Sequence, residues 1–163
     1  MGINGYTFPH QCGTRQNQIM SPLSKNNRYE IVRFRIENAV RTLDEAEVQI
    51  QNKYYNTAVN RMYYACYYAI CALLVANNIH TKSHDGVRRM MSLHFIKTGI
   101  LPTELGRYYG RLFSNRLTGD YDDFFSHDRA SAESLYPEAK VFVNTVKTLV
   151  DEWLDKQADS QKA

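Results

Sequence analysis

The 163-residue sequence is short of helix breakers: four prolines and eight glycines leave long stretches with no conformational stop. That scarcity excludes a collagen-like chain and a Pro/Gly-rich linker. It also lacks a large excess of either charge. Twenty Lys and Arg against 17 Asp and Glu give a net charge of +3, too little for bulk electrostatics to announce a polyanionic partner. Any RNA or nucleotide site has to be local. Three cysteines, Cys12, Cys66 and Cys71, form no even set for a disulfide framework, and the last two sit in an apolar segment where they read as small core side chains. The N-terminal residues show no basic patch followed by an apolar run, so no signal peptide is expected and a reduced cytoplasm is the expected location. The longest apolar stretch, Met62 to Ala76, is shorter than the roughly 20 residues of a spanning helix.

What the sequence has in excess is tyrosine, with twelve. A buried phenol needs a hydrogen-bond partner, so a tyrosine-rich core is polar-lined, which suits a site or a dimer interface. Residues 1–26 mix Gly, Pro, Asn and Ser without periodicity and read as a flexible or loosely docked leader, with Tyr6 and Phe8 able to dock on the rest. Helical spacing then takes over. A first helix is expected from about Asn27 to Ile50, burying Ile31, Phe34, Val40, Leu43 and Ile50. A second, Tyr54 to Ala76, holds only Arg61 as a full charge and carries the small-residue stripe Ala58, Met62, Ala65, Ala69, Ala72 and Ala76. It is the expected central helix, stopped by Asn77 and Asn78.

Ser83 is an expected N-cap for a third helix ending near Thr98, with Asp85 in its first turn, Gly99 behind it and Val87, Met90, Met91, Leu93 and Phe95 as its apolar side. Pro102 opens a fourth helix that is expected to end near Leu117, closed by Thr118 and Gly119. A fifth runs from Ser131 to Lys156, burying Leu135, Val141, Phe142, Val146, Leu149, Val150 and Trp153. The sum is an all-α antiparallel bundle of about five helices spanning residues 27–156, with a disordered tail at 157–163. The acidic, aromatic loop from Gly119 to Arg129 is longer than a minimal connection and is a place to expect function.

Two arginines fall on apolar helix faces, Arg61 beside Ala58, Ala65 and Tyr68, and Arg116 beside Leu105, Tyr109 and Leu112. A partly buried guanidinium needs carboxylates, carbonyls or phosphate oxygens for its five donors; Asp120, Asp122 and Asp123 are the acids within reach of Arg116. His80, His84, His94 and His127 have no metal-pair spacing, so no metal and no cofactor is expected, and His84 is expected to be the more exposed. Gly106 and Gly110 fall inside a helix, where they read as close packing rather than a phosphate cradle. Lys82, Arg88, Arg89, Lys97, Arg107 and Arg111 are scattered around the third and fourth helices, and read either as a solvated face or as a phosphate-facing groove.

The segment from Ala58 to Phe124 resembles a HEPN domain of the uncharacterised prokaryotic branch. Its pattern appears here as Arg61-Met62-Tyr63-Tyr64-Ala65, Ser83-His84-Asp85-Gly86, His94-Phe95-Ile96-Lys97-Thr98-Gly99, Leu105-Gly106, and Arg116 followed by Asp120-Tyr121. The resemblance covers about residues 28 to 155. It implies a helical bundle that usually homodimerises and is often paired with a minimal nucleotidyltransferase of the MNT type in toxin–antitoxin-like or defence modules. Active relatives cleave RNA without a metal, using an arginine followed after four to six residues by a histidine, with two copies meeting across the dimer. Such a pair can supply a cation for the developing phosphorane charge and an acid or base for the ribose hydroxyl and the leaving oxygen.

This chain keeps the arginine, Arg116, but after four intervening residues it has Tyr121, and the next histidine downstream is His127. With an ordinary pKa near 10, a phenol is a poor base at neutral pH. The resemblance therefore leaves open whether the chain is an enzyme. Three readings follow. In the preferred one, the chain is an RNA- or nucleotide-binding component acting with a nucleotidyltransferase, its binding set being Arg61, Arg116, Asp120 and Tyr121. In the second, it is a ribonuclease with Arg116, Tyr121 and His127 as catalytic residues. In the third, it is a helical interaction or dimerisation module in which the arginines and aspartates only lock the loop.

Overall fold

The computed structural model describes the backbone of residues 25–121 and 126–162 and the side chains of 27–115 and 126–160. Among them are five α-helices: α1 (Lys25–Gln51), α2 (Tyr55–Ala76), α3 (His84–Met91), α4 (Thr103–Tyr121) and α5 (Arg129–Lys162). A π-helical turn, Ser92–Ile96, continues α3. The all-α bundle expected from the sequence is what the chain forms. Tyr6 and Phe8 of the expected leader, and Asp122 and Asp123 of the loop, lie outside the described residues.

The helices α1 and α2 form an antiparallel hairpin. Lys53 takes a left-handed backbone, φ 65°, which returns the chain within a few residues. The Arg61–Glu45 ion pair and the Arg35 bond to the Cys71 carbonyl then tie the start of α2 to the end of α1 and its end to the middle of α1. On α1 the buried seam is Val32, Ile36, Ala39, Leu43 and Ala46, a strict alternation of four and three. Phe34, expected in that seam, falls between its positions and is 60% exposed.

The alanine stripe of α2 is wholly buried, as are Cys66 and Cys71, and burial pushes both thiols above their ordinary pKa. Small side chains let α1 and α5 both pack closely on α2, and α3 and α4 close its other side. Asn78, φ 58°, ends the helix as expected.

Ser83 caps α3 by accepting a bond from the Gly86 N–H at 3.0 Å. Val87, Met91 and Phe95 enter the core one turn apart. Leu93, expected with them, is 49% exposed. The wider π turn, closed by the Lys97 N–H to the Ser92 carbonyl at 3.0 Å, changes the register at that point. Gly99, φ 76°, then ends the segment.

Helix α4 does not stop at Leu117; it is helical through Gly119 to Tyr121, three residues into the expected loop. Thr118 and Gly119 lower helix propensity by no more than about 1 kcal/mol each, too little to end a helix by themselves. Helix α5 starts earlier than expected, with the Asp128 carboxylate capping the Ser131 N–H at 2.8 Å, and it continues through Lys162, so residues 157–162 are helical rather than a tail. Its seam is Ala132, Leu135, Ala139, Phe142, Val143, Val146 and Val150. Val141 stands off that seam at 58% exposed. Leu149 and Trp153 are only partly buried against the core.

Candidate functional site

The tyrosines of α2 converge on the first residue of α3. Tyr63 is fully buried, and its hydroxyl shares a hydrogen bond of 2.7 Å with His84 Nδ1. The ring of Tyr67 lies 4.4 Å from the imidazole and that of Tyr64 5.9 Å from it. His84, expected to be exposed, is half-buried in this aromatic collar. The reason is its position. As the first residue of a helix docked on α2, it points back into the bundle, and the phenol supplies the polar partner that a buried ring nitrogen needs.

The collar has an arginine at each end. Arg61 stacks over Tyr64 at 5.3 Å, bonds Asn60 Oδ1 at 3.2 Å and faces Glu45 at 3.7 Å. It is partly buried, as expected, with a carboxylate already beside it. On the α4 side, Phe113 packs edge-on to Tyr63 at 6.3 Å and carries Arg88 over its face at 5.3 Å. Arg88 also bonds Asp85 at 2.9 Å. Two guanidinium groups and an imidazole are thus joined through rings across α2, α3 and α4, at cation–π separations.

Arg116 lies three residues beyond Phe113 on α4, so the collar leads along that helix toward it. Asp120 is one helical turn beyond Arg116 in register, and Tyr121 is the last residue of the helix. The side chains of Arg116, Asp120 and Tyr121 lie outside the described ones. His127 stands elsewhere, at the approach to α5. Its N–H donates to Asn56 Oδ1 at 2.6 Å, and its Nδ1 is 3.0 Å from Ser131 Oγ. Burial lowers its pKa below the ordinary 6.5, against the opposing pull of Asp128. The shift favours the neutral ring.

Of the six scattered basic residues, Arg88, Arg89, Lys97 and Arg107 meet along one groove between the α3–π segment and α4. Lys82 is not part of it, and Arg111 turns to Glu138 on α5. Gly106 supports the close-packing expectation, since a Cβ there would stand 3.3 Å from the Ile96 side chain. Gly110 does not: a Cβ there meets nothing within 4 Å.

Residues 32–149 match the family model of the HEPN domain. The chain belongs to the HEPN domain family. A UPF0332 protein of Thermotoga maritima is 32% identical over 127 residues, covering 78% of this chain and 96% of that protein. Two proteins of Methanocaldococcus jannaschii whose names read "Putative toxin" are 36% identical over 112 residues and 35% identical over 132 residues. They cover 69% and 81% of this chain, and 76% and 97% of their own lengths. Much of the HEPN pattern has a structural cause here. Gly86 is required because a Cβ would fall 2.0 Å from Thr81 Oγ1, Phe95 and Leu105 are core, and Thr98 Oγ1 bonds the His94 carbonyl at 2.7 Å. In this HEPN chain the polar side chains gathered at the collar are Arg61, the Tyr63–His84 pair and Arg88. The last two were not singled out as site residues from sequence. The buried partner of the Ser83-His84-Asp85-Gly86 motif is the signal that points to them.

Proposed function

We propose that this HEPN chain is the RNA- or nucleotide-binding, toxin-like component of a two-protein module, acting as a homodimer in the cytoplasm with a minimal nucleotidyltransferase of the MNT type. The observation that carries the reading is the substitution in the arginine motif: Arg116 is kept, and Tyr121 stands where an active relative has histidine. An arginine can hold phosphate, whereas a phenol is a poor base at neutral pH, so the pair favours binding over cleavage. The toxin names of the two archaeal relatives support a toxin-like role. Burial shifts His127 toward the neutral ring a base needs, but that ring bonds Ser131 at the start of α5.

The test is fluorescence anisotropy with a labelled single-stranded RNA and with a labelled ATP analogue, at low salt. Binding of at least one, weakened about tenfold or more by Arg116→Ala, is the expected result, that being the scale of a charge-assisted bond. If neither binds, the reading fails. Cleavage of cellular RNA that vanishes on His127→Ala would replace it with the ribonuclease reading. A loss of melting temperature in Arg116→Ala with unchanged ligand binding would favour the structural one. Co-purification with the product of a neighbouring nucleotidyltransferase gene tests the partner, and light scattering the dimer.

A further inference from the structure

The groove between the α3–π segment and α4, about 520 Å³, has Arg88, Arg89 and Lys97 on one wall and Arg107 on the other, and no Asp or Glu among its lining residues. Its counterpart between α1 and α5 is charge-balanced, with Glu37, Asp44 and Asp151 set among Arg33, Arg41 and Lys147. Arg88 is tied to Asp85 and Phe113, but Arg89, Lys97 and Arg107 are exposed and have no ion-pair partner among the described residues. Holding like charges along one cleft is unfavourable unless an anion neutralises them. The π turn lies between Arg89 and Lys97 and sets the position of Lys97 relative to α3, and this helix type recurs at functional sites.

Gly110 adds an independent observation. Glycine is among the poorest helix formers, and no packing among the described residues requires it at this position. Its lack of a side chain leaves bare helix backbone at the groove wall, open to close approach.

We propose that this groove is a channel for the backbone of single-stranded RNA, with successive phosphates held by Arg89, Lys97 and Arg107 and the strand lying against α4 at Gly110. The inference rests on the RNA-binding reading above and gives the bound strand a path away from the motif arginine. Arg116 lies about 9 Å beyond Gly110 by helix rise and about 120° further round α4, so a strand that reaches both has to wrap round the helix. No aromatic side chain lines the groove, so it offers bases no stacking platform; it holds backbone, and binding is indifferent to sequence and strongly dependent on salt. A cleft with cations on both walls suits a strand better than the plane of a lipid surface.

The experiment uses the full chain and a fluorescein-labelled 20-nucleotide oligouridylate across a KCl series. Lys97→Glu with Arg107→Glu, both exposed, is expected to weaken binding at least tenfold and to flatten the slope of log Kd against log salt by about 1.4, two phosphate contacts' worth for a single strand. Gly110→Leu is expected to weaken binding several-fold without lowering the melting temperature, which separates lost affinity from lost fold. If the charge reversals leave oligouridylate binding unchanged while Arg116→Ala weakens it, the groove inference is wrong and the RNA reading stands. If the parent binds no oligouridylate at low salt, the groove inference falls together with the RNA half of the proposed function, and only binding of the ATP analogue keeps the nucleotide half. Binding to phosphatidylserine vesicles without binding to the oligonucleotide would overturn the channel in favour of a lipid headgroup surface.

Discussion

The Tyr63 hydroxyl and His84 Nδ1 meet at 2.7 Å, joining the middle of α2 to the first residue of α3. This bond ties the start of α3, capped by Ser83, to α2, and with it the basic wall that α3 carries. Removing the phenol oxygen in Tyr63→Phe is expected to destabilise the fold by about 1 kcal/mol, the usual net value of a protein hydrogen bond. A double-mutant cycle with His84→Ala, read by urea unfolding, should give a coupling of about 0.5–1.5 kcal/mol. Additive effects would mean that the two rings merely sit together.

Gly86 is predicted to be the least replaceable glycine of the described helices. A Cβ there would stand 2.0 Å from Thr81 Oγ1 and 2.9 Å from Ser83 Oγ, inside the cap of α3. Gly86→Ala should cost about 1–3 kcal/mol, the range for forced overpacking. Thr81→Ala in the same chain should recover part of it, and Ser83→Ala alone should cost about 1 kcal/mol. Thermal melts of the three variants check the order.

Gly106 and Gly110 are predicted to behave differently although they share a helix. Gly110→Ala, with nothing within 4 Å of the new methyl group, should stabilise by about 0.5–1 kcal/mol. Gly106→Ala places its methyl 3.3 Å from Ile96 and should gain less. Equal gains would show that Ile96 yields without cost.

In alkali the tyrosines are expected to titrate in classes. Burial raises Tyr67 and Tyr136 to about 12, and Tyr108 and Tyr109 are raised further by deeper burial. A phenol whose folded pKa is raised contributes stability that is whole below the ordinary value of 10 and is lost as pH rises above it. Absorbance at the phenolate band should therefore show Tyr108 and Tyr109 ionising only together with unfolding.

Acid is expected to act on His127 with the opposite sign. Its folded pKa lies below 6.5, so the unfolded chain takes up the proton first, and stability present above 6.5 falls as pH drops through that value toward the folded pKa. His127→Gln should flatten the pH dependence of the melting temperature in that window. An unchanged slope would assign the acid sensitivity to other groups.

The helices were legible because their signals are local. Ser83, Gly99, Asn78 and the alanine stripe of α2 each depend on neighbours three or four residues away, and each behaves as expected. Phe34, Leu93 and Val141 misled because a hydrophobic residue adjoining a seam has the right composition and the wrong angle. The end of α4 was misplaced because Thr118 and Gly119 lower helix propensity without forbidding it. The Arg61 environment was half legible: a partly buried guanidinium was expected, but its partner Glu45 comes from another helix. The same applies to His84, whose collar of Tyr63, Tyr64 and Tyr67 exists only once α3 is docked on α2. Pairings between elements carry no sequence period, so such sites emerge only with the fold.

The π turn at Ser92–Ile96 takes one more residue to close than an α turn would. The extra residue is taken up without a break in the helical segment. Deleting one residue there would restore ordinary winding, rotate Lys97 by about 100° relative to α3 and take it out of line with Arg89, while Phe95 would lose its place in the core. One residue of chain length thus couples the packing of the bundle to the layout of charge on its surface, so that neither can be altered there without the other.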